Sequence, residues 1–447
     1  MKTQALFAAL LLAMLIGLGN AVAPTVIHDC ATLSTSGVYV LEAEHLSPAG
    51  DCFRIAAKGV TLNCNNVPIA HAGADGDNGI SNPYYDNFRA INCVFKSFAK
   101  GIRIGNGTRT LLYNSIESSD FTDNEIGIEV KRTAITITDT DSNKVILELV
   151  NLATLERNKF YGRPALTLLN SDKNVLRTNL FRSILPGIVV NLTGSSENRF
   201  ENDSFVAVDK VIHFNLGSSE NVFYNSTISD QIIEVKGAST ENVFNNPITL
   251  NPAKLSVDAT SGARVEYSVR AKVTTLIPTA IAGATTEFLS PIGTRLALLI
   301  TDANGYTSFA KIPVYEKKPG IALSSYSSFD LITAATDYMS TGSTQGATRY
   351  ATIEVRLSRA PTPTPTLTPT PTPDPASTST PTPTPTPIAT PTQARQQRLL
   401  APRQHRFPLQ RLKSPRALRL QLQRQCNQLQ PQRPPLQKRR LQLPLPR

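Results

Sequence analysis

Three glutamates recur at one place in a repeated segment, Glu197 and Glu220 in "GSSEN" and Glu241 in "ASTEN". Stacked one repeat apart, such a column could hold Ca2+, which takes hard oxygen ligands. It could also act on a sugar, because glycoside hydrolysis needs two carboxylates roughly 5 to 9.5 Å apart across the bond. Each Glu follows two hydroxyl residues, a composition that equally makes a solvated turn with no chemistry. Asp203, Asp209, Lys210 and Asp230 lie nearby but fall at different places of the repeat, so the spacing pairs none of them. "GADGDNG" (Gly73 to Gly79) and "DTDSN" (Asp139 to Asn143) have the look of calcium loops. The second lacks the Gly at loop position six and the Glu at twelve, and both read more simply as Asp/Asn-rich turns. Copper would want clustered Met or His. The chain has three Met and five scattered His, and His213 in "DKVIHFN" reads as a strand residue. No metal site is assigned, and calcium on the Glu column is the one cation the spacing allows.

What must position these residues is the repeat itself. "NSDKNVL", "GSSENRF", "GSSENVF" and "ASTENVF" align on Asn174, Asn198, Asn221 and Asn242, spaced by 24, 23 and 21 residues. A period in the low twenties with short strands and polar turns suits one coil of a parallel β-helix; a leucine-rich repeat would need a Leu ladder that is absent. Coils stack about 4.8 Å apart, so each place in the repeat becomes a column of like residues. Phe200, Phe223 and Phe244, with Leu176 ahead of them, form an apolar column. The four Asn form a second, in which side-chain amides can hydrogen-bond up the stack. Asn202, Asn225 and Asn246 form a third, suited to turns because Asn tolerates left-handed backbone. Less regular runs upstream, "GVTLNCNN" and "LLYNSIESSDFTDNEIGIEV" among them, show the same short strands ending in Asn or Gly.

The expected organisation is all-β: a right-handed parallel β-helix over 24–251, then a small Ig-like β-sandwich over 255–358. In the second part Val265, Tyr267, Val269, Ala271 and Val273 alternate on one strand face, and "ITDANGYTSF" carries a hairpin signal. Residues 1–23, with Lys2, an apolar run and Ala21-Val22-Ala23, read as a secretory signal peptide. Residues 359–392 are a Pro-Thr linker able to span ~100 Å as extended polyproline II. Residues 393–447 form a disordered Gln/Arg/Leu/Pro tail without Asp or Glu, and the net charge of +11 belongs to this tail. A one-base shift of Pro-Thr codons yields only Leu, Pro, His, Gln and Arg, so the tail reads as frameshifted linker. The rival reading is a basic arm for acidic glycans or nucleic acid, and with one aromatic the tail lacks an organised nucleic-acid site. No nucleic-acid partner and no transmembrane anchor are expected.

Four of the five cysteines fall in the first quarter of the chain. Cys30 and Cys52 bracket a short segment and make a plausible disulfide in an exported, oxidising setting. Cys64 and Cys93 sit in strand-like runs, where stacking as small buried residues is at least as good a reading as bonding. Of four sequons, Asn106 and Asn191 are the glycosylation candidates, because Asn202 and Asn225 belong to a ladder column where a glycan would disrupt stacking.

The opening "CATLSTSGVYVLEAEHLSPAGDCFRIAAKGVTLNCNN" (Cys30 to Asn66), followed by "INCVFKSFAKGIRIGNGT", resembles right-handed β-helix repeat surface proteins of archaea and their relatives. These overlap the NosD-like group and the carbohydrate-binding and sugar-hydrolysing β-helix domains. The segment "IPTAIAGATTEFLSP" with "ITDANGYTSF" is similar to carboxypeptidase-regulatory-like sandwich domains, which implies a spacer or binding module. The resemblance is specific for fold and open for function, since such helices include lyases, hydrolases, binding modules and stalks. The leading expectation is a secreted or cell-surface protein without catalysis, structural or adhesive and glycan-binding. A polysaccharide lyase or glycoside hydrolase and a purely structural envelope stalk are the alternatives. Tyr84, Tyr85 and Tyr161 are the aromatics that could meet a glycan.

Overall fold

The computed structural model describes residues 23–43, 46, 48–72, 77–346 and 351–362. The signal-peptide run, most of the Pro-Thr linker and the basic tail lie outside them. The described residues are all-β, with one 3-10 turn, Pro252–Lys254, as their only helical element. None of their helices is long and apolar enough to cross a membrane.

Three parallel sheets wrap the core, here called A, B and C. Each coil contributes a strand to sheet A, makes a tight turn to sheet C, and passes on to sheet B before climbing to the next coil. One coil runs Val175–Arg177 in A, Leu180–Arg182 in C and Ile188–Thr193 in B. The strands align in register, so the columns read from the sequence exist: Leu176 faces Phe200, Phe200 faces Phe223, and Phe223 faces Phe244. Phe200 and Phe223 stack with centroids 4.3 Å apart and Phe223 and Phe244 with 5.0 Å. All three rings are fully buried. A second aromatic column, not anticipated, runs up sheet C through Phe160, Phe181 and Phe205.

The "GSSEN" repeat resolves into one role per residue. Gly194 and Gly217 take positive φ where the chain leaves sheet B, as does Ala238 in the third copy. The first hydroxyl, Ser195, Ser218 or Ser239, is buried, and the Ser171 and Ser195 amides donate to the hydroxyls of Ser195 and Ser218 above them. The Asn is buried too. Asn174, Asn198 and Asn221 each donate Nδ2 to the Oδ1 of the next Asn at 2.9, 2.9 and 3.0 Å, ending at Asn242. The "SSE" turn is therefore solvated only at its second hydroxyl and its Glu, because coil stacking leaves an unpaired amide that a buried hydroxyl must accept from.

Two further readings change. Cys64 and Cys93 are bonded to each other, as Cys30 and Cys52 are; the strand register brings the pair on adjacent coils together, so the reading of them as stacked thiols is replaced. The Asn202, Asn225 and Asn246 column does take left-handed backbone at the A-to-C turn, with φ near 50°. Asn202, however, is exposed, so its sequon lies on the surface of the stack rather than inside it.

The parallel ladders do not stop at Asn251, where the sequence period fades. Leu255–Val257 pairs with Ile232–Val235 in sheet B, and Ala263 to Glu266 pair with Asn242–Asn245 in sheet A. The same long strand, Ala263–Thr275, continues to Ala351–Leu357 on that edge and takes Ala310–Lys317 antiparallel on the other. A separate four-stranded antiparallel sheet holds Arg295–Ile300, Thr285–Leu289, Ser328–Ala334 and Thr341–Gly346. The Asn304-Gly305 turn is present, but the strands it joins go to different sheets, so it is no hairpin. Asp302 holds it as a loop, its Oδ1 accepting from the amides of Asn304 and Tyr306 at 2.9 Å each.

Candidate functional site

The outward face of sheet B gathers more charge into ordered contacts than the Glu column does. Alternation along each strand points every second residue outward, and the register makes a row: Arg103 beside Glu129, then Ile146, Thr167, Asn191, His213 and Glu234. Two charged clusters stand on this face, separated by Ile146 and Thr167.

The first centres on Glu129, which is nearly buried beneath its partners. Lys100 Nζ donates to it at 2.7 Å, Arg103 Nε lies at 3.2 Å and Lys131 Nζ at 3.9 Å. Lys131 also reaches Glu148 at 2.7 Å. The second centres on Glu234, with Lys210 Nζ at 3.0 Å and Lys236 Nζ at 3.2 Å. Burial pushes the Glu234 carboxyl up, but hydrogen bonds from the two lysines outweigh it and hold the group below the usual range. His213 lies beside Glu234, its Nε2 4.0 Å from the carboxylate and its Nδ1 3.2 Å from Asn191 Oδ1. Burial, helped by Lys236 and Lys210 against the pull of Glu234, holds the imidazole below its ordinary value, so it is largely neutral at neutral pH.

The sequence-derived candidates fall elsewhere. Glu197, Glu220 and Glu241 are exposed at the turn before sheet A, each with φ between 56° and 58°. Glu197 sits 3.6 Å from Lys173, and Glu241 borders a cleft of about 510 Å³ with Arg264, Glu316, Lys317 and Lys318. In "DTDSN" both acids are engaged by the next coil. Asp139 takes two 2.8 Å bonds from Arg157, which hold it below the usual carboxylate range, and Asp141 lies 3.3 Å from Lys159. Of "GADGDNG" the described Asp77 contacts His71 at 2.9 Å. Asn191, a glycosylation candidate, is half-buried on the sheet B face. Asn106 caps its own turn by accepting from the Thr108 amide at 2.9 Å. Tyr84 is exposed, whereas Tyr85 and Tyr161 are half-buried.

Sequence reasoning missed Glu129 and Glu234, and it named Lys210 without finding its partner. They sit in the irregular upstream coils or at places of the repeat with no matching neighbour, so no column announced them. The available signal was polar residues on short apolar strands: "IGIEVK" places Glu129 and Lys131 two residues apart, and "KGIRI" and "KVIHFN" place Lys100 and Arg103, and Lys210 and His213, three apart.

Residues 36–249 match the family model described as periplasmic copper-binding protein (NosD). Among curated protein sequences nothing matches the chain. Among solved structures, the Dettilon tailspike protein (gp208) is 8% identical over 69% of this chain and 73% of its own, with a TM-score of 0.38. The A-module of mannuronan C-5 epimerase AlgE4 from Azotobacter vinelandii is 10% identical over 53% and 86%, with a TM-score of 0.31. Likenesses at this level carry no argument about activity. The copper in the family's description finds no matching donor set among the described residues. His28, His71 and His213 lie on separate coils, bonded to the Glu42 carbonyl, Asp77 and Asn191 respectively. No three metal-ligating side chains converge among the described residues. The parallel coils and the match coincide over residues 36–249, so this β-helix is similar to the NosD family.

Proposed function

We infer that the chain is an exported surface protein that binds glycans through the outward face of sheet B and does not cleave them. The observation that carries this reading is the pair of preset charge clusters. Around Glu129 and Glu148 stand Lys100, Arg103 and Lys131, and around Glu234 stand Lys210 and Lys236, so each cluster has one more cation than carboxylate. Fixed cations in excess, on rungs about 4.8 Å apart, suit the carboxylates and hydroxyls of an extended acidic glycan. The carboxylates of this face, Glu129, Glu148 and Glu234, are tied to lysine and arginine, which leaves them poor acids or bases. Two disulfides in the first coils support an oxidising compartment.

A second reading is acid–base chemistry on a bound sugar, favoured by one observation: His213 is neutral at neutral pH and lies beside Glu234. One experiment tests both. The purified full chain is applied to an array of neutral and uronate-bearing glycans, with and without calcium, while released unsaturated and reducing ends are assayed in parallel. Binding to acidic glycans without product is the expected result. Product release would replace the first reading with the second, and silence in both assays would leave a structural stalk.

A further inference from the structure

Past the last coil, the strand Ala263–Thr275 turns Val265, Tyr267, Val269, Ala271 and Val273 into the core. Alternation therefore puts Arg270 and Lys272 on its other face, where both are half-buried. The register sets Thr352 beside Arg270 and Glu354 beside Lys272, and an isolated bridge sets Tyr306 on the far side of Lys272. The Arg270 guanidinium lies over two rings, 4.3 Å from the centroid of Tyr306 and 4.9 Å from that of Phe309. Its Nε donates to Thr352 Oγ1 at 3.1 Å. Lys272 Nζ lies over the same Tyr306 ring, 5.3 Å from its centroid. Neither cation meets a carboxylate among the described residues. Glu354 lies 3.8 Å from Arg356 instead, and on the same face Arg264 and Lys311 both engage Glu266, at 3.0 and 3.3 Å.

The loop that supplies the rings is held without these cations. The Thr307 amide donates to the Ala271 carbonyl and its Oγ1 accepts from the Ala271 amide, both at 3.0 Å, and the Val273 amide donates to the Gly305 carbonyl at 2.8 Å. The rings thus fix the plane of the guanidinium rather than the reverse. With Nε taken by Thr352, the two Nη groups of Arg270 remain as a parallel pair of donors, the arrangement that meets a carboxylate bidentately. Lys272 stands two residues along the strand, ~7 Å away. We propose that Arg270 and Lys272 form a carboxylate-binding site for an acidic polysaccharide, with the Arg270 fork on a uronate carboxylate and Lys272 as a second positive charge beside it. A guanidinium already stacked on rings loses little further freedom when it takes an oxyanion. Thr352 and Tyr306 bring hydroxyls to the same face, which suits the hydroxyls of a sugar. The inference rests on the reading of the chain as a binder of acidic glycans and adds an anchoring point outside sheet B.

The test titrates four full-length proteins with polygalacturonate: wild type, Arg270→Gln, Lys272→Gln and the sheet B double variant Lys210→Ala/Lys236→Ala. Dextran and polyglutamate serve as parallel ligands, and thermal midpoints are measured for each protein. Arg270→Gln should weaken polygalacturonate binding by about tenfold or more, the worth of a charge-assisted pair of hydrogen bonds. Lys272→Gln should weaken it by about threefold, as for one partly exposed charge. Its midpoint should stay near that of wild type, so it carries the test alone if Arg270→Gln loosens the Thr352 contact and fails to fold. Unchanged affinity in both, with binding lost in the sheet B variant, would overturn the proposal and leave the sheet B reading standing. Loss in both with the sheet B variant unaffected would support the proposal and move glycan binding off sheet B. A wild type that binds no polygalacturonate would end both. Polyglutamate bound as tightly, and lost in the same variants, would make this face a site for an acidic protein and refute the saccharide.

Discussion

Asn179 donates both its backbone amide and its Nδ2 to one oxygen of Asp203, at 2.7 and 2.9 Å, and the other oxygen of Asp203 is buried without a partner. Asp203 occupies the place that an asparagine would fill at the top of the Asn158–Asn179 ladder. In that ladder each Nδ2 also donates down to a carbonyl, Ile137 for Asn158 and Leu155 for Asn179. The register makes Leu176 the matching carbonyl for residue 203. A protonated Asp203 can imitate the missing amide; an ionised one cannot.

Burial drives the Asp203 carboxyl up to about 7, against hydrogen bonds from Asn179 that pull it down. The folded-state value lies above the unfolded one, so the stability tied to its proton is complete below about pH 4. It is lost as pH rises through about 7, to a total of roughly 4 kcal/mol. Urea titrations between pH 4 and 9 should show this decline. Asp203→Asn should flatten it and be the more stable protein at pH 8. A wild-type curve with no slope between pH 5 and 8 would show that Asp203 ionises freely.

The two columns of the "SSEN" turn should respond oppositely to truncation. Asn221 is buried, its Oδ1 accepting from the Asn198 amide and Nδ2 and its own Nδ2 donating to Asn242 Oδ1 and the Ser195 carbonyl, so Asn221→Ala strands polar groups on the coils to either side and should cost at least about 2 kcal/mol. Glu220 is exposed at φ 58°, and Glu220→Gly should stabilise by up to about 1 kcal/mol. Chemical denaturation of the two variants checks both signs. A loss of stability in Glu220→Gly would give the Glu column a structural part that its exposure denies.

The contrast also shows what the sequence could reveal. Columns were legible wherever one residue type repeats in register, as Asn198, Asn221 and Asn242 do or Phe200, Phe223 and Phe244. Phe160, Phe181 and Phe205 are equally periodic, but they lie on the strand after the Asn turn, beyond the segments whose likeness is plain. Ser195 and Ser218 escape such a reading because a hydroxyl before Glu looks solvated; only stacking reveals the amides of Ser171 and Ser195 that they accept from. The junction after Asn251 escaped because backbone pairing of Ala263 to Glu266 needs no side-chain period.

The two disulfides close loops between adjacent coils at the N-terminal end of the stack, with separations of 22 and 29 residues. End coils have one neighbour fewer, and by chain-entropy estimates each bond is worth about 3 kcal/mol. Reduction should open the first coils before the rest. Hydrogen exchange under mild reductant should show protection lost near Leu33, Phe53 and Leu62 while Phe200 and Phe223 stay protected. Uniform loss along the chain would instead make the helix a single cooperative unit.

The last prediction separates the binding reading of sheet B from the catalytic one through His213. Its imidazole is held low by burial and by Lys236 and Lys210, while Glu234 pulls the other way. Glu234→Gln removes the one group that favours the charged form, so the His213 value should fall further. Lys210→Ala or Lys236→Ala should raise it. Both shifts can be followed by the NMR titration of the His213 ring protons. If His213 only positions Asn191 and the glycan, then Glu234→Gln changes affinity for acidic glycans modestly and pH dependence of binding stays flat above pH 7, where the ring is already neutral. If the ring is a base for bond cleavage, any product released by the wild type should depend on its neutral fraction, and the pH profile should move with the measured value in each variant. A profile that ignores these shifts would remove His213 from the chemistry and leave the cation clusters as the functional part of the face.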